Sequence, residues 1–89
     1  MASPLKVSVV SADQEVWSGE AKQIIARTTE GEIGILAGHE PLLAILGAGE
    51  VRVTLVEGKV ITANAEDGFL SVEHDTVTIV ARNASLVTA

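Results

Sequence analysis

Apolar and polar residues alternate with a period of two along most of this chain. Leu5, Val7 and Val9 alternate with polar residues near the start, and the pattern returns at residues 51–56 and 76–81. A period of two is the repeat of a β-strand, whose successive side chains lie on opposite faces. The pattern therefore predicts an all-β fold, a small antiparallel β-sandwich or flattened barrel of about 8–10 short strands.

Turn signals divide the alternating segments. Residues 57–58 and 74–75 each separate two such segments, which is typical of β-hairpins. Only residues 41–47, which end in a glycine, are expected to hold a helical turn. We divide the chain into a β-sandwich domain over residues 1–82 and a short polar tail over residues 83–89, which we expect to be partly frayed.

Length and charge argue against several classes of protein. The 89 residues suffice for one small domain, and without cysteine the chain has no disulfide and no thiolate metal site. A net charge of −6 argues against binding to nucleic acid or to an anionic lipid surface. No apolar run approaches the ~20 residues of a membrane span, and the N-terminus lacks the apolar stretch of a signal peptide. These features predict a cytosolic chain without direct lipid insertion.

The sequence contains no pattern for catalysis, for a metal ion or for a cofactor. It has no Gly-x-Ser-x-Gly motif, and its paired glycines are not followed by the Lys-Ser/Thr of a phosphate loop. His39 and His74 lie far apart, and neither has the spacing of metal ligands. Glu30 and Glu32 would share one face of a strand, where a solvated or partner-facing pair is favoured over a catalytic one. We expect no catalytic residue, no metal and no cofactor.

Lys59 supports an alternative of a different class. It follows Glu57-Gly58 at a predicted hairpin tip. Lipoyl and biotinyl carrier domains are small β-sandwiches that display a modified lysine on such a tip. Those domains carry Asp-Lys or Met-Lys-Met around the lysine, whereas this chain has Gly58-Lys59-Val60. A carrier domain with a modified Lys59 remains the rival interpretation.

The stretch from Glu30 to Leu43 is the most unusual part of the sequence. It reads Glu-Gly-Glu-Ile-Gly-Ile-Leu-Ala-Gly-His-Glu-Pro-Leu-Leu, so three glycines and a proline fall within fourteen residues that also carry an apolar run. Glycine permits bends and close approach of another chain, and proline breaks the extended run. A polar, jointed loop between two apolar segments is a favourable place to meet a partner.

Several segments together resemble the epsilon subunit of bacterial F-type ATP synthases. The resemblance covers about residues 5–82 and corresponds to the N-terminal β-sandwich domain of that subunit, without its C-terminal pair of helices. Ala37 stands where the family usually has proline, and Asp67 stands where it usually has glycine. The matching segments are Val9–Asp13, Val16–Ala21, Gly31–Leu43, Asp67–Val72 and Val77–Ala81.

The resemblance implies a non-catalytic subunit of the central stalk, which couples proton translocation to ATP synthesis. Such a subunit is expected to bind the gamma subunit and the polar loops of the c-ring, as a peripheral component at the cytoplasmic face of the cell membrane, and to be monomeric when isolated. Acidic and histidine side chains suit polar loops with cationic residues. The residues implied to face the c-ring are Glu32, His39, Glu40 and Leu42. Those implied to face gamma are Ser11, Leu43, Ala44 and Thr78.

Overall fold

Strands account for nearly all of the described chain. The computed structural model describes residues 4–12, 14–38 and 40–87. Its six strands, in chain order, are β1 (Leu5–Ser11), β2 (Glu15–Thr28), β3 (Gly31–Leu36), β4 (Leu42–Leu55), β5 (Val60–Glu73) and β6 (Thr76–Val87). Within these residues there is no helix that is long and apolar enough to cross a membrane.

The strands form a sheet that closes on itself. Their order is β1-β6-β5-β4-β2-β3, and β1 also pairs with β2, which makes a flattened barrel with β3 attached to β2 alone. All pairings are antiparallel except that between β1 and β6, which is parallel. The predicted all-β sandwich is confirmed, but with six strands instead of about 8–10 and with one parallel pairing.

The strand count is lower because long strands bend where breaks were expected. β2, β4 and β5 have 14 residues each. The β4–β5 register runs without a shift from Leu42↔Val72 to Thr54↔Val60. β4 pairs with β2 at Leu46 and again from Val51 onward. Between these two places β4 turns a corner, where Gly47 and Gly49 lie. A Cβ at Gly49 would lie 3.2 Å from the Cβ and the Cδ of Arg27, so glycine lets this side chain cross the corner.

A second corner lies in β5 at Asp67 and Gly68. Asp67 has a φ of 55°, in the left-handed region that aspartate tolerates better than most residues. A Cβ at Gly68 would collide with the backbone of Val80 and Ala81 in β6. The close approach of the two strands therefore requires glycine at position 68.

The core fills the space between the two bent halves of the sheet. It contains aliphatic residues only, and inward-facing residues alternate with outward-facing ones along each strand. Val16, Trp17 and Leu42 pack against it from the periphery. The buried members of this cluster are Leu5, Val7, Val9, Ala21, Ile24, Ala26, Ile35, Leu46, Val51, Val53, Ala65, Leu70, Val72, Val77, Ile79 and Ala81.

Two local predictions are wrong. The expected helical turn at residues 41–47 is instead the approach to β4 and its first six residues, because alternate residues from Leu42 onward face the core and pair with β5. The expected frayed tail is also wrong for residues 83–87, which continue β6 and pair with residues 62–66 of β5. The predicted boundary at residue 82 therefore falls inside a strand.

Candidate partner-binding surfaces

An exposed apolar surface covers the outer side of the half-sheet formed by β1, residues 42–46 of β4, residues 68–73 of β5 and residues 76–81 of β6. Leu43 is 65% exposed, Ile45 is 56% exposed and Phe69 is 39% exposed. Ile45 pairs with Phe69, Phe69 with Val80, and the register continues from Val80 to Val10. We call these five residues the apolar outer face. Single exposed apolar side chains are common on protein surfaces, whereas a contiguous apolar patch indicates an interaction site.

Small hydroxyl side chains form the neighbouring row of the same surface. Leu43 pairs with Ser71, Ser71 pairs with Thr78, and Thr78 pairs with Ser8. Thr78 is half-buried. Leu43 and Thr78, both expected to face gamma, therefore lie on one surface of the sheet with only Ser71 between them.

The other two residues expected to face gamma lie on the opposite side. Ala44 pairs with Leu70, which is fully buried, so Ala44 is directed to the interior and is half-buried. Ser11 pairs with the buried Ala81 at the end of β1, and its Oγ donates a hydrogen bond to the Gln14 carbonyl oxygen at 3.2 Å. The structure thus separates the predicted set: Leu43 and Thr78 lie on the outer surface, whereas Ala44 is directed to the interior and Ser11 bonds to Gln14 at the end of β1.

A group of four charged side chains occupies the outer side of the other half-sheet. Glu32 Oε2 lies 3.6 Å from Arg52 Nη2 and 3.9 Å from Arg27 Nη2. Arg52 Nε also lies 3.3 Å from Glu50 Oε1. We call these four residues the charge network. They connect β2, β3 and β4, and the two carboxylates balance the two guanidinium groups. All four side chains are roughly half exposed, so each pair contributes little to stability.

Two of the remaining residues expected to face the c-ring lie at the other end of β3. Glu40 is exposed in the connection between β3 and β4, and Leu42 is the half-buried first residue of β4. His39 lies outside the described residues. From Glu32 to the end of β3 the chain advances four residues, roughly 13 Å. Glu32 and Glu40 therefore do not belong to one compact cluster along this strand.

One hydrogen bond fixes that connection to another turn. The Gly38 N–H donates to Asp75 Oδ1 at 2.7 Å, and the Lys6 N–H donates to the Asp75 carbonyl oxygen at 2.8 Å. His74 and Asp75 both have positive φ, at 49° and 59°, as the two central residues of a tight hairpin turn do. Asp75 thus joins the β5–β6 turn to the β3–β4 connection and to the start of β1.

Sequence reasoning missed several residues of both surfaces. The alternation of Leu43 and Ile45 with inward residues was a usable signal for the apolar outer face, but the unbroken apolar composition of this segment concealed it. No pattern in the local sequence predicts the charge network. Arg52 in β4 comes close to Glu32 in β3 only because both strands pair with β2.

The described residues show no cluster of His, Asp or Glu suited to a metal ion. Lys59 lies in the β4–β5 turn, as predicted, where its carbonyl oxygen accepts the Leu55 N–H at 2.7 Å. The Gly58 φ of 100° confirms a tight turn at this place. Position alone therefore does not separate a carrier domain from a stalk subunit.

Comparison with known sequences separates the two. The sequence model of the family described as "ATP synthase, Delta/Epsilon chain, beta-sandwich domain" matches residues 4–87. The ATP synthase epsilon chain of Micrococcus luteus is 52% identical over 82 residues, which cover 92% of this chain and 90% of that protein. The epsilon chain of Frankia casuarinae is 46% identical over 83 residues, which cover 93% and 98%. That of Streptomyces griseus is 44% identical over 86 residues, which cover 97% and 69%.

Solved structures agree with this assignment. A chain in the Euglena gracilis mitochondrial ATP synthase structure of OSCP, F1 and c-ring superposes with a TM-score of 0.87 at 28% identity, over 93% of this chain and 53% of that one. A chain in the Tetrahymena thermophila structure of central stalk and c-ring shares the fold, with a TM-score of 0.75 at 17% identity, over 93% and 66%. The chain belongs to the family of ATP synthase epsilon chains, and, like them, it is a non-catalytic subunit and not a carrier domain.

Proposed function

We propose that this chain binds the gamma subunit and the c-ring of an F-type ATP synthase and so couples proton translocation to ATP synthesis. In this role it is a peripheral component at the cytoplasmic face of the cell membrane. The apolar outer face is the observation that carries the proposal. The solved structure at 28% identity contains F1 and a c-ring, which are the partners that the proposal assigns to this chain.

The gamma subunit is assigned to the apolar outer face and the hydroxyl row beside it. Leu43 and Thr78 contribute directly to this surface, whereas Ala44 is directed to the interior behind it and Ser11 lies at the end of β1. An exposed aliphatic and aromatic centre with a polar rim is the usual composition of a stable protein interface. Leu43, Ile45 and Phe69 supply the centre, and Ser71 and Thr78 supply part of the rim.

Co-purification with the cognate gamma subunit tests this assignment. The double variant Leu43→Lys, Ile45→Lys should lose at least about tenfold in affinity for gamma, because charge is placed at the centre of the interface. A matched control, Val60→Lys with Val87→Lys, alters two valines that are 52% and 43% exposed on the other half-sheet. The control should bind gamma normally. Equal retention of gamma by both double variants would refute the assignment.

The c-ring is assigned to the acidic residues around β3 and the connection that follows it. Glu32, His39, Glu40 and Leu42 make up this set. Glu32 and Glu40 are exposed on a chain of net charge −6, which favours cationic groups on the partner. We assign the attraction to both places, to Glu32 at the start of β3 and to the connection around Glu40, which are the exposed carboxylates of this set.

The complete ATP synthase, rebuilt with variants of this chain, tests the c-ring assignment. Glu40→Gln should reduce the protons pumped per ATP hydrolysed without releasing gamma. Glu66→Gln is the matched control, since Glu66 is exposed in β5 and pairs with Asn83, away from β3. If the two variants pump equally well, whether at a reduced or at the normal level, the connection has no specific role in pumping.

A further inference from the structure

Asp75 is the residue through which three separate parts of the chain meet. Its carboxylate accepts the Gly38 N–H at 2.7 Å, and its carbonyl oxygen accepts the Lys6 N–H at 2.8 Å. Its own backbone, with a φ of 59°, forms the tight turn between β5 and β6. The β3–β4 connection is thereby attached to a turn 37 residues away in the sequence.

The bond to Gly38 acts where the connection leaves β3. Gly38 is two residues beyond the end of β3 and has a φ of 86°, a backbone conformation that favours glycine. Among the described residues other than its chain neighbours, no atom lies within 4 Å of a Cβ placed at Gly38, so the space on this side of the residue is open. A short hydrogen bond from a backbone N–H to a carboxylate is charge-assisted and stronger than a neutral one.

We infer that Asp75 is a positioning residue for the β3–β4 connection, and that it sets where Glu40 is presented to a partner. Asp75 itself need not touch the partner, because it acts through the Gly38 N–H. The inference rests on the proposed function only for the identity of the partner, the c-ring. The positioning role is a property of the isolated chain and is measured there independently.

Three variants separate the carboxylate from the backbone conformation of Asp75. Asp75→Gly keeps access to positive φ and removes the acceptor. Asp75→Asn keeps both the positive φ and an acceptor oxygen, so it should restore the bond. Asp67→Gly is the matched control, because Asp67 also has positive φ and, in the part of the chain that the structure describes, its carboxylate has no hydrogen-bond partner. It removes the same charge from a different corner.

Amide hydrogen exchange of the full chain, followed by NMR, gives the first readout. In Asp75→Gly the Gly38 amide should exchange about tenfold faster or more, which corresponds to the loss of a hydrogen bond to a charged group. Asp67→Gly should leave it near the wild-type rate, and Asp75→Asn, whose amide oxygen accepts a weaker neutral hydrogen bond, should give a rate between those of the wild type and Asp75→Gly. The Gly58 amide, which donates to the Leu55 carbonyl oxygen at 2.8 Å in another turn, is the internal reference and should not change. An unchanged Gly38 rate in Asp75→Gly overturns the inference.

Proton pumping by the rebuilt ATP synthase gives the second readout. Asp75→Gly should lose pumping per ATP hydrolysed in the same direction as Glu40→Gln, and Asp75→Asn should restore part of it. If Glu40→Gln loses pumping while Asp75→Gly does not, the inference is wrong about the partner surface. If Gly38 exchange accelerates as expected and neither variant alters pumping, the positioning role stands and the c-ring assignment of the proposed function fails.

Discussion

Leu43 and Ala44 are neighbours in the chain but lie on opposite faces of β4. Leu43 is 65% exposed and pairs with Ser71 on the outer side, whereas Ala44 pairs with the fully buried Leu70. Both residues were expected to face the same partner, yet the pleat of the strand allows only one of them to do so directly. Substitutions at these two positions should therefore have effects of different kinds.

The same substitution at both positions tests this difference. Leu43→Asp should change the free energy of unfolding by no more than about 0.5 kcal/mol, because the side chain is exposed, while it weakens binding to gamma. Ala44→Asp should lower the free energy of unfolding by about 1–3 kcal/mol, since it directs a carboxylate to the interior. Chemical denaturation of both variants measures this. An unchanged free energy of unfolding for Ala44→Asp, together with unfolding of the chain by Leu43→Asp, would contradict the prediction.

Gly68 at the corner of β5 and Gly34 within β3 differ in the space around them. Gly68→Ala should lower the free energy of unfolding by at least about 2 kcal/mol, because the added methyl group meets the backbone of β6, which cannot move without disrupting the sheet. Gly34→Ala is the control, since a Cβ there would meet no atom within 4 Å among the described residues other than its chain neighbours. It should be within about 0.5 kcal/mol of the wild type. Similar thermal stability of both variants would disprove the crowding at Gly68.

Gly38 differs from Gly68 because its constraint comes from the backbone alone. Its φ is 86° and nothing crowds it. Gly38→Val should lower the free energy of unfolding by about 1–3 kcal/mol through backbone strain, and Gly38→Asn should cost less because asparagine tolerates this region. Denaturation curves of the two variants provide the measurement. Equal losses for valine and asparagine would indicate that strain is not the cause.

The charge network should contribute little at ordinary ionic strength and less in high salt. A double-mutant cycle with Glu32→Gln and Arg52→Met should give a coupling energy of about 0.2–1 kcal/mol, as expected for exposed pairs. At 1 M salt, where the Debye length is about 3 Å, the coupling should fall toward zero. Coupling that persists in 1 M salt would mean that the pair is held by more than charge.

Much of the fold was predictable because alternation is a local property. The alternation of Leu5, Val7 and Val9 with other residues predicts which side of β1 faces the core. The turns at 57–58 and 74–75 are predicted by their turn-forming residues. The corners were not predictable, since glycine permits either a break or a bend, and only the partner strand decides between them. The parallel pairing of β1 with β6 joins distant segments and has no local signal.

The candidate surfaces were predictable to a smaller extent. The resemblance implied that Leu43 and Thr78 face gamma, which stays a prediction, and an apolar run such as residues 42–46 conceals which residues face outward. Asp75 reads in the sequence only as a turn residue, and its bond to Gly38 becomes visible once the two connections are placed side by side. In each case the missing information is the register between strands that are far apart in the chain.

The last part of β6 provides the final prediction. Residues 83–87 pair with residues 62–66, Ala84 packs against the core, and Leu86 pairs with the buried Ala63. Removing residues 83–89 should therefore lower the free energy of unfolding by about 1–3 kcal/mol, from lost burial of these side chains. It should also increase aggregation, because it leaves the first half of β5 as an unpaired edge.

A chain that ends at Val87 is the control for this truncation, since it retains the whole of β6. It should unfold at the same denaturant concentration as the full chain, and light scattering should show no aggregation. The chain that ends at Arg82 should unfold earlier and scatter more light. If both truncated chains instead behaved like the full one, the pairing of residues 83–87 would contribute nothing to stability, and this segment would act in solution as the frayed polar tail that its composition suggests.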